Sequence, residues 1–150
     1  MILWRVSNYA DLKGVGGIKR AGRWHSVGRP VVYLAEHPAL ALLETLVHLD
    51  IETIDELPDM YKLLKVELAD PPSLIVLEEA LEDEAASRQL GDDWLRGGHS
   101  LLLQVPSVLV PESSNFLFNP SHIDAAKAQI LANHDWPFDK RFVKTQQTRA

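Results

Sequence analysis

Lys13, Lys19, Arg20, Arg23 and Arg29 fall within one stretch, KGVGGIKRAGRWHSVGRPVVYLA (13–35), that contains no acid. The whole chain carries a net charge of -6, so without these five cations the remainder stands at -11. Gly14, Gly16, Gly17, Gly22 and Gly28 punctuate the same stretch. Glycine has no Cβ to hold a ligand off, and a cationic, glycine-rich loop on an acidic chain reads as a local anion site. Phosphate is the anion such a loop suits. Arg23, and Arg5 within ILWRV (2–6), offer the planar fork that grips phosphate bidentately. Taken alone, Arg5 equally reads as a solvent-facing residue on a strand, and Arg23 as a surface guanidinium beside Trp24. Glu44 sits among Leu42, Leu43, Leu46 and Val47, with Thr45 and His48 on a narrow polar stripe. That stripe either faces water or holds a carboxylate at the edge of a core, where it needs a partner. Tyr33 reads as a core tyrosine or as a ring that stacks on a base, and Ser107 as a turn residue after Pro106.

The chain excludes several chemistries. With no cysteine there is no disulfide, thiolate metal site or cysteine nucleophile. His25, His37, His48, His99, His122 and His134 show no metal-ligand spacing, so no metal is expected. GVGGIKRAG is neither a phosphate-binding P-loop nor a dinucleotide fingerprint, and no GxSxG surrounds Ser107. A pI near 5.4 disfavours direct nucleic-acid binding. No apolar run approaches the roughly 18 residues of a membrane span, and MILWRVSNYADLKG lacks the pattern of a signal peptide. A cytoplasmic protein is expected.

The elements that must position these residues follow from pattern. Residues 1–150 are expected to form a single domain of α+β class, a mixed β-sheet core with flanking helices, with residues from about 145 frayed. Strands are predicted at 2–6, 31–35, 61–68, 73–77 and 100–111, the last broken at Pro106, and 115–120 reads as a short strand or a turn. A helix is predicted at 39–49, with Pro38 in its first turn. The acidic block Glu78–Glu84 reads as a helical, solvated face, separated by Gly91 from a second helix over 92–96, and Asp92 and Asp93 extend that face. Residues 126–138 fit either helix or strand.

In order, WRV (4–6), AGRWHSVGRPVVYLAEHPALALLETLVHL (21–49), GDDWL (91–95), LLQVPSVLVPESSNFLFNPSH (102–122) and FDKRF (138–142) resemble the RES-domain family, the toxin half of bacterial Xre/RES toxin–antitoxin pairs. His25 stands where the family usually has asparagine, and Ala21 where glycine is common. The resemblance implies a fold similar to ADP-ribosyltransferases and cleavage of the nicotinamide–ribose bond of NAD, with water or inorganic phosphate as acceptor. NAD is then substrate, not cofactor. The family's motif positions fall on Arg5, Arg23, Tyr33, Glu44 and Ser107, and Asn115 lies in a matched stretch. They imply catalytic roles for Glu44, Arg23 and Ser107, and substrate binding by Arg5, Arg23, Tyr33 and Asn115. An Xre-type helix-turn-helix antitoxin and a homo-oligomer within its complex are the implied partners. Protein ADP-ribosylation is the alternative within the fold, and a non-catalytic nucleotide-binding or interaction module the alternative outside it.

Overall fold

Alternation in ILWRVS gives a strand with both faces covered: Leu3, Arg5 and Ser7 are buried, while Ile2, Trp4 and Val6 are half-buried. This is β1 (Ile2–Ser7), near the middle of a seven-stranded sheet in the computed structural model, which describes residues 1–49, 60–69, 71–135 and 137–142. The other strands are β2 (Val32–Ala35), β3 (Lys62–Glu67), β4 (Leu74–Val76), β5 (Leu102–Pro106), β6 (Ser114–Phe118) and β7 (Gln129–Asp135). They lie in the order β4-β5-β6-β2-β1-β3-β7. Only β4 and β5 run parallel among these neighbours. A parallel pair needs a crossover, and α3 (Glu84–Gly97) supplies it. The α+β expectation holds.

Cross-strand partners share a face. One face carries Leu3, Val32, Leu34, Leu64, Val66, Leu102, Phe116 and Phe118, and Arg5 belongs to it. Full burial of a side chain such as Leu64 or Val66 contributes about 1.5–3 kcal/mol. The other face carries Trp4, Tyr33, Ala35, Leu103, Val105, Asn115 and Leu117. There α2 (Pro38–Leu49) seats Leu40 and Ala41 against Ala35 and Trp4, while α3 seats Trp94 with Trp24 over Leu103 and Leu117. Pro38 opens α2 as expected, and His37 caps it by accepting the Ala39 N–H at 3.0 Å. Residues from 145 lie outside those described.

Three expectations change. The acidic block is not helical through residue 83: Asp83 caps α3 by accepting the Ala85 N–H at 2.9 Å, so the helix starts at Glu84. Nor does Gly91 separate two helices, since α3 runs through it to Gly97. A Cβ there would lie 1.6 Å from the Trp24 carbonyl oxygen, so glycine serves close approach rather than a break. The cationic stretch holds a short helix, α1 (Val15–Lys19), after Gly14 in left-handed conformation. The 126–138 ambiguity resolves as β7, an edge strand on β3 with a bulge between Lys65 and Val66.

Candidate active site

Glu44 lies on α2 between the directions of Leu40 and Ala41, the residues that face the sheet. Its polar stripe therefore turns inward at this point, although His48 is exposed. Glu44 Oε1 accepts the Ser107 hydroxyl at 2.7 Å and the Asn115 amide at 2.8 Å. Ser107 immediately follows β5, which ends at Pro106, and its Oγ also accepts the N–H groups of Leu109 (3.2 Å) and Val110 (3.0 Å). Asn115 stands beside Ala35 on β6. A helix, a turn and a strand thus fix one carboxylate oxygen. Oε2 receives no hydrogen bond among the described residues.

Tyr33 shares the sheet face of Asn115, two residues along β2 from Ala35, or about 7 Å. Its hydroxyl lies 2.7 Å from His25 Nδ1 and accepts the Trp24 N–H at 3.3 Å. His25 Nε2 faces the carbonyls of Arg20 (2.8 Å) and Gly17 (3.2 Å), so the ring proton sits on Nε2 and Tyr33 donates to Nδ1. Burial holds the Tyr33 phenol well above its ordinary pKa and pushes His25 down, giving a neutral pair. Gly22 makes room for it, because a Cβ there would lie 2.6 Å from the Tyr33 hydroxyl.

Arg23 donates from Nη2 to the Leu81 carbonyl at 3.1 Å, and its Nη1 lies 3.8 Å from Glu84 Oε1. Its Nε is buried with no acceptor among the described residues. Trp24 points into the core, so the pairing of Arg23 with its indole is not seen. Arg88, which the sequence reading passed over, donates from Nε to the Gly22 carbonyl at 3.1 Å, and its Nη2 lies 3.6 Å from Glu84 Oε2. Its only sequence signal is the four-residue spacing from Glu84, the mark of an ordinary helix-surface pair.

Asp92 is not part of a solvated face. It accepts the Ser26 N–H (2.9 Å) and hydroxyl (2.6 Å) and lies 3.2 Å from Arg29 Nε. Burial opposes its charge, but Ser26 and Arg29 outweigh that and hold the carboxyl below its ordinary value. The cationic stretch is thereby tied to α3. Arg5 is not brought to this cluster. It faces the opposite side of the sheet and donates to the Asp11 carbonyl (2.7 Å) and to Ser7 Oγ (3.1 Å). Burial lowers its pKa to about 10, which keeps it charged at neutral pH. Lys19 reaches the Tyr9 hydroxyl at 2.9 Å at the surface, and Lys13 and Arg20 are exposed. Among the described residues no three His, Asp or Glu side chains are grouped to hold a metal, and no helix is long and apolar enough to cross a membrane.

A family model described as the RES domain matches residues 2–141. The chain belongs to the RES domain family. A relative named Toxin Res from Pseudomonas putida is 44% identical over 146 residues, covering 95% of this chain and 100% of that protein. A relative from Sphingobium sp. named Prs ADP-ribosylating toxin is 36% identical over 155 residues, covering 94% and 96%. The RES domain also shares its fold with a chain of the M. tuberculosis MbcT–MbcA toxin–antitoxin complex, with a TM-score of 0.68 at 14% identity over 90% of this chain and 83% of that one. It is a homologue of named toxins, built on a fold found in a toxin–antitoxin complex.

Proposed function

We propose that this RES domain is the toxin of a toxin–antitoxin pair and consumes NAD by cleaving its nicotinamide–ribose bond. The observation that carries the reading is the Glu44 carboxylate, held on one oxygen by Ser107 and Asn115 and without a partner on the other among the described residues, on the same sheet face as Tyr33. Cleavage breaks the bond from C1′ to the ring nitrogen, and the electron pair leaves with neutral nicotinamide. Positive charge then builds on the ribose, as in glycoside hydrolysis, and a fixed carboxylate stabilises it. Glu44 Oε2 accepts a ribose hydroxyl and Tyr33 packs against the nicotinamide end. Arg23 holds the diphosphate. Water or inorganic phosphate attacks C1′, and water gives up its proton to solvent. Ser107 and Asn115 act through Glu44, holding its orientation. No resident cofactor takes part.

A second reading has a specific support. The Sphingobium relative is named an ADP-ribosylating toxin, and a protein side chain attacking C1′ would need the same NAD-binding groups. The fold shared with a member of a toxin–antitoxin complex supports an antitoxin partner, which is proposed to be an Xre-type helix-turn-helix protein. The test is incubation of the purified chain with NAD, with and without inorganic phosphate, following nicotinamide and ribosyl products. Nicotinamide release that falls at least about 100-fold in Glu44→Gln is expected, as for loss of a transition-state charge partner. A phosphate adduct of ADP-ribose would identify phosphate as acceptor. Intact NAD that is consumed only when cell proteins are added, with ADP-ribose on one of them, would favour the second reading. NAD bound but never cleaved would leave a binding module.

A further inference from the structure

We propose that Arg88 is a second phosphate-binding residue of this site, and that Glu84 holds it together with Arg23 until a diphosphate takes the place of the carboxylate. The proposal rests on the NAD reading above and adds a residue of α3 to it. Two guanidinium groups from different elements converge on one carboxylate, Arg23 on Oε1 and Arg88 on Oε2. At 3.8 and 3.6 Å both contacts are longer than hydrogen bonds, and the Glu84 side chain is 60% exposed. Such pairs are weak. A diphosphate brings more charge and more acceptor oxygens, which arginine grips bidentately.

The neighbouring contacts point the same way. Arg23 Nε is buried without an acceptor among the described residues, a donor that a ligand oxygen would satisfy. Arg88 Nε is anchored on the Gly22 carbonyl, and Gly22 lies under the Tyr33 hydroxyl. The charge of Arg88 bears on both Tyr33 and His25. Contacts run over one sheet face from Glu44 through Asn115 and Tyr33 to Gly22 and Arg88, which places the two arginines at the Tyr33 end of the site. Arg5 cannot complete this pair, because it points to the other face.

Calorimetric binding of NAD and of inorganic pyrophosphate to the full chain carrying Glu44→Gln, which prevents turnover, tests this. Arg88→Ala should weaken both ligands about tenfold, with Arg88→Lys in between, the loss expected of a charge-assisted phosphate contact. Glu84→Gln should tighten both, by about threefold, since it removes a competing carboxylate. A misfolded variant does not gain affinity, so that arm separates ligand competition from damage. Unchanged binding in Arg88→Ala, or no gain in Glu84→Gln, overturns the proposal. Pyrophosphate binding that follows these substitutions without any NAD binding would sink the NAD reading and leave the anion site standing. Binding of neither ligand overturns both.

Discussion

A serine hydroxyl has one proton, and that of Ser107 goes to Glu44 while its oxygen accepts two backbone N–H groups. Ser107 is therefore a positioning residue in the proposed reaction. Ser107→Ala and Asn115→Ala should each lower kcat about tenfold with little change in KM, as for an interaction that matters in the transition state. The double substitution should cost less than the product of the two, because both act on one oxygen. Steady-state kinetics on folded variants checks this. His25 carries a pH prediction. Its folded pKa lies below the unfolded 6.5, so the unfolded chain binds more protons between those values. The stability His25 contributes is present above about pH 6.5 and is lost as pH falls toward its folded pKa. His25→Asn does not titrate, so its Tm should fall less between pH 7.5 and 5.5. An equal fall would refute the assignment. Glu44, Ser107 and Asn115 were each recognisable in the sequence, but their meeting was not, since the pairs are 63 and 71 residues apart.

The strands other than β7, and α2, were legible because alternation and the run after Pro38 are local signals, whereas residues 126–138 fitted helix or strand equally. The course of α3 was not. Gly91 in an exposed-looking acidic helix reads as a breaker, and only the carbonyl of Trp24 against it reveals the tertiary reason. The same packing buries Asp92, whose partners Ser26 and Arg29 lie far away in sequence. Gly91→Ala makes this quantitative. Helix propensity alone would favour alanine by about 1 kcal/mol, but a Cβ 1.6 Å from a backbone oxygen forces α3 off the loop. A net loss of about 3 kcal/mol in unfolding free energy is expected by urea denaturation, within the range of overpacked cores. A gain in stability would mean that α3 moves freely.

The sheet divides the molecule. Both long helices, Glu44, Tyr33, Asn115 and the Trp24–Trp94 core lie on one side, and Arg5 with the Leu3–Phe118 core lies on the other. A sequence lists Arg5 and Arg23 as like cations, and only the alternation of β1 against its neighbours parts them. Arg5→Met should lower unfolding free energy by about 2 kcal/mol, through the Asp11 carbonyl left without its donor and Ser7 Oγ left with the Tyr9 N–H alone, yet leave the KM for NAD unchanged. A raised KM at full folding would put Arg5 in the site. The sheet also has an open end. Along β7 the outer edge pairs with no strand among the described residues, Leu131 is 47% exposed, and the strand carries no proline or lysine to blunt it. Beyond the bulge against β3, mutual repulsion between chains of net charge -6 opposes the pairing of two such edges. The repulsion vanishes near pH 5.4, where the protein should turn cloudy by edge-to-edge association, and Leu131→Lys should keep it clear.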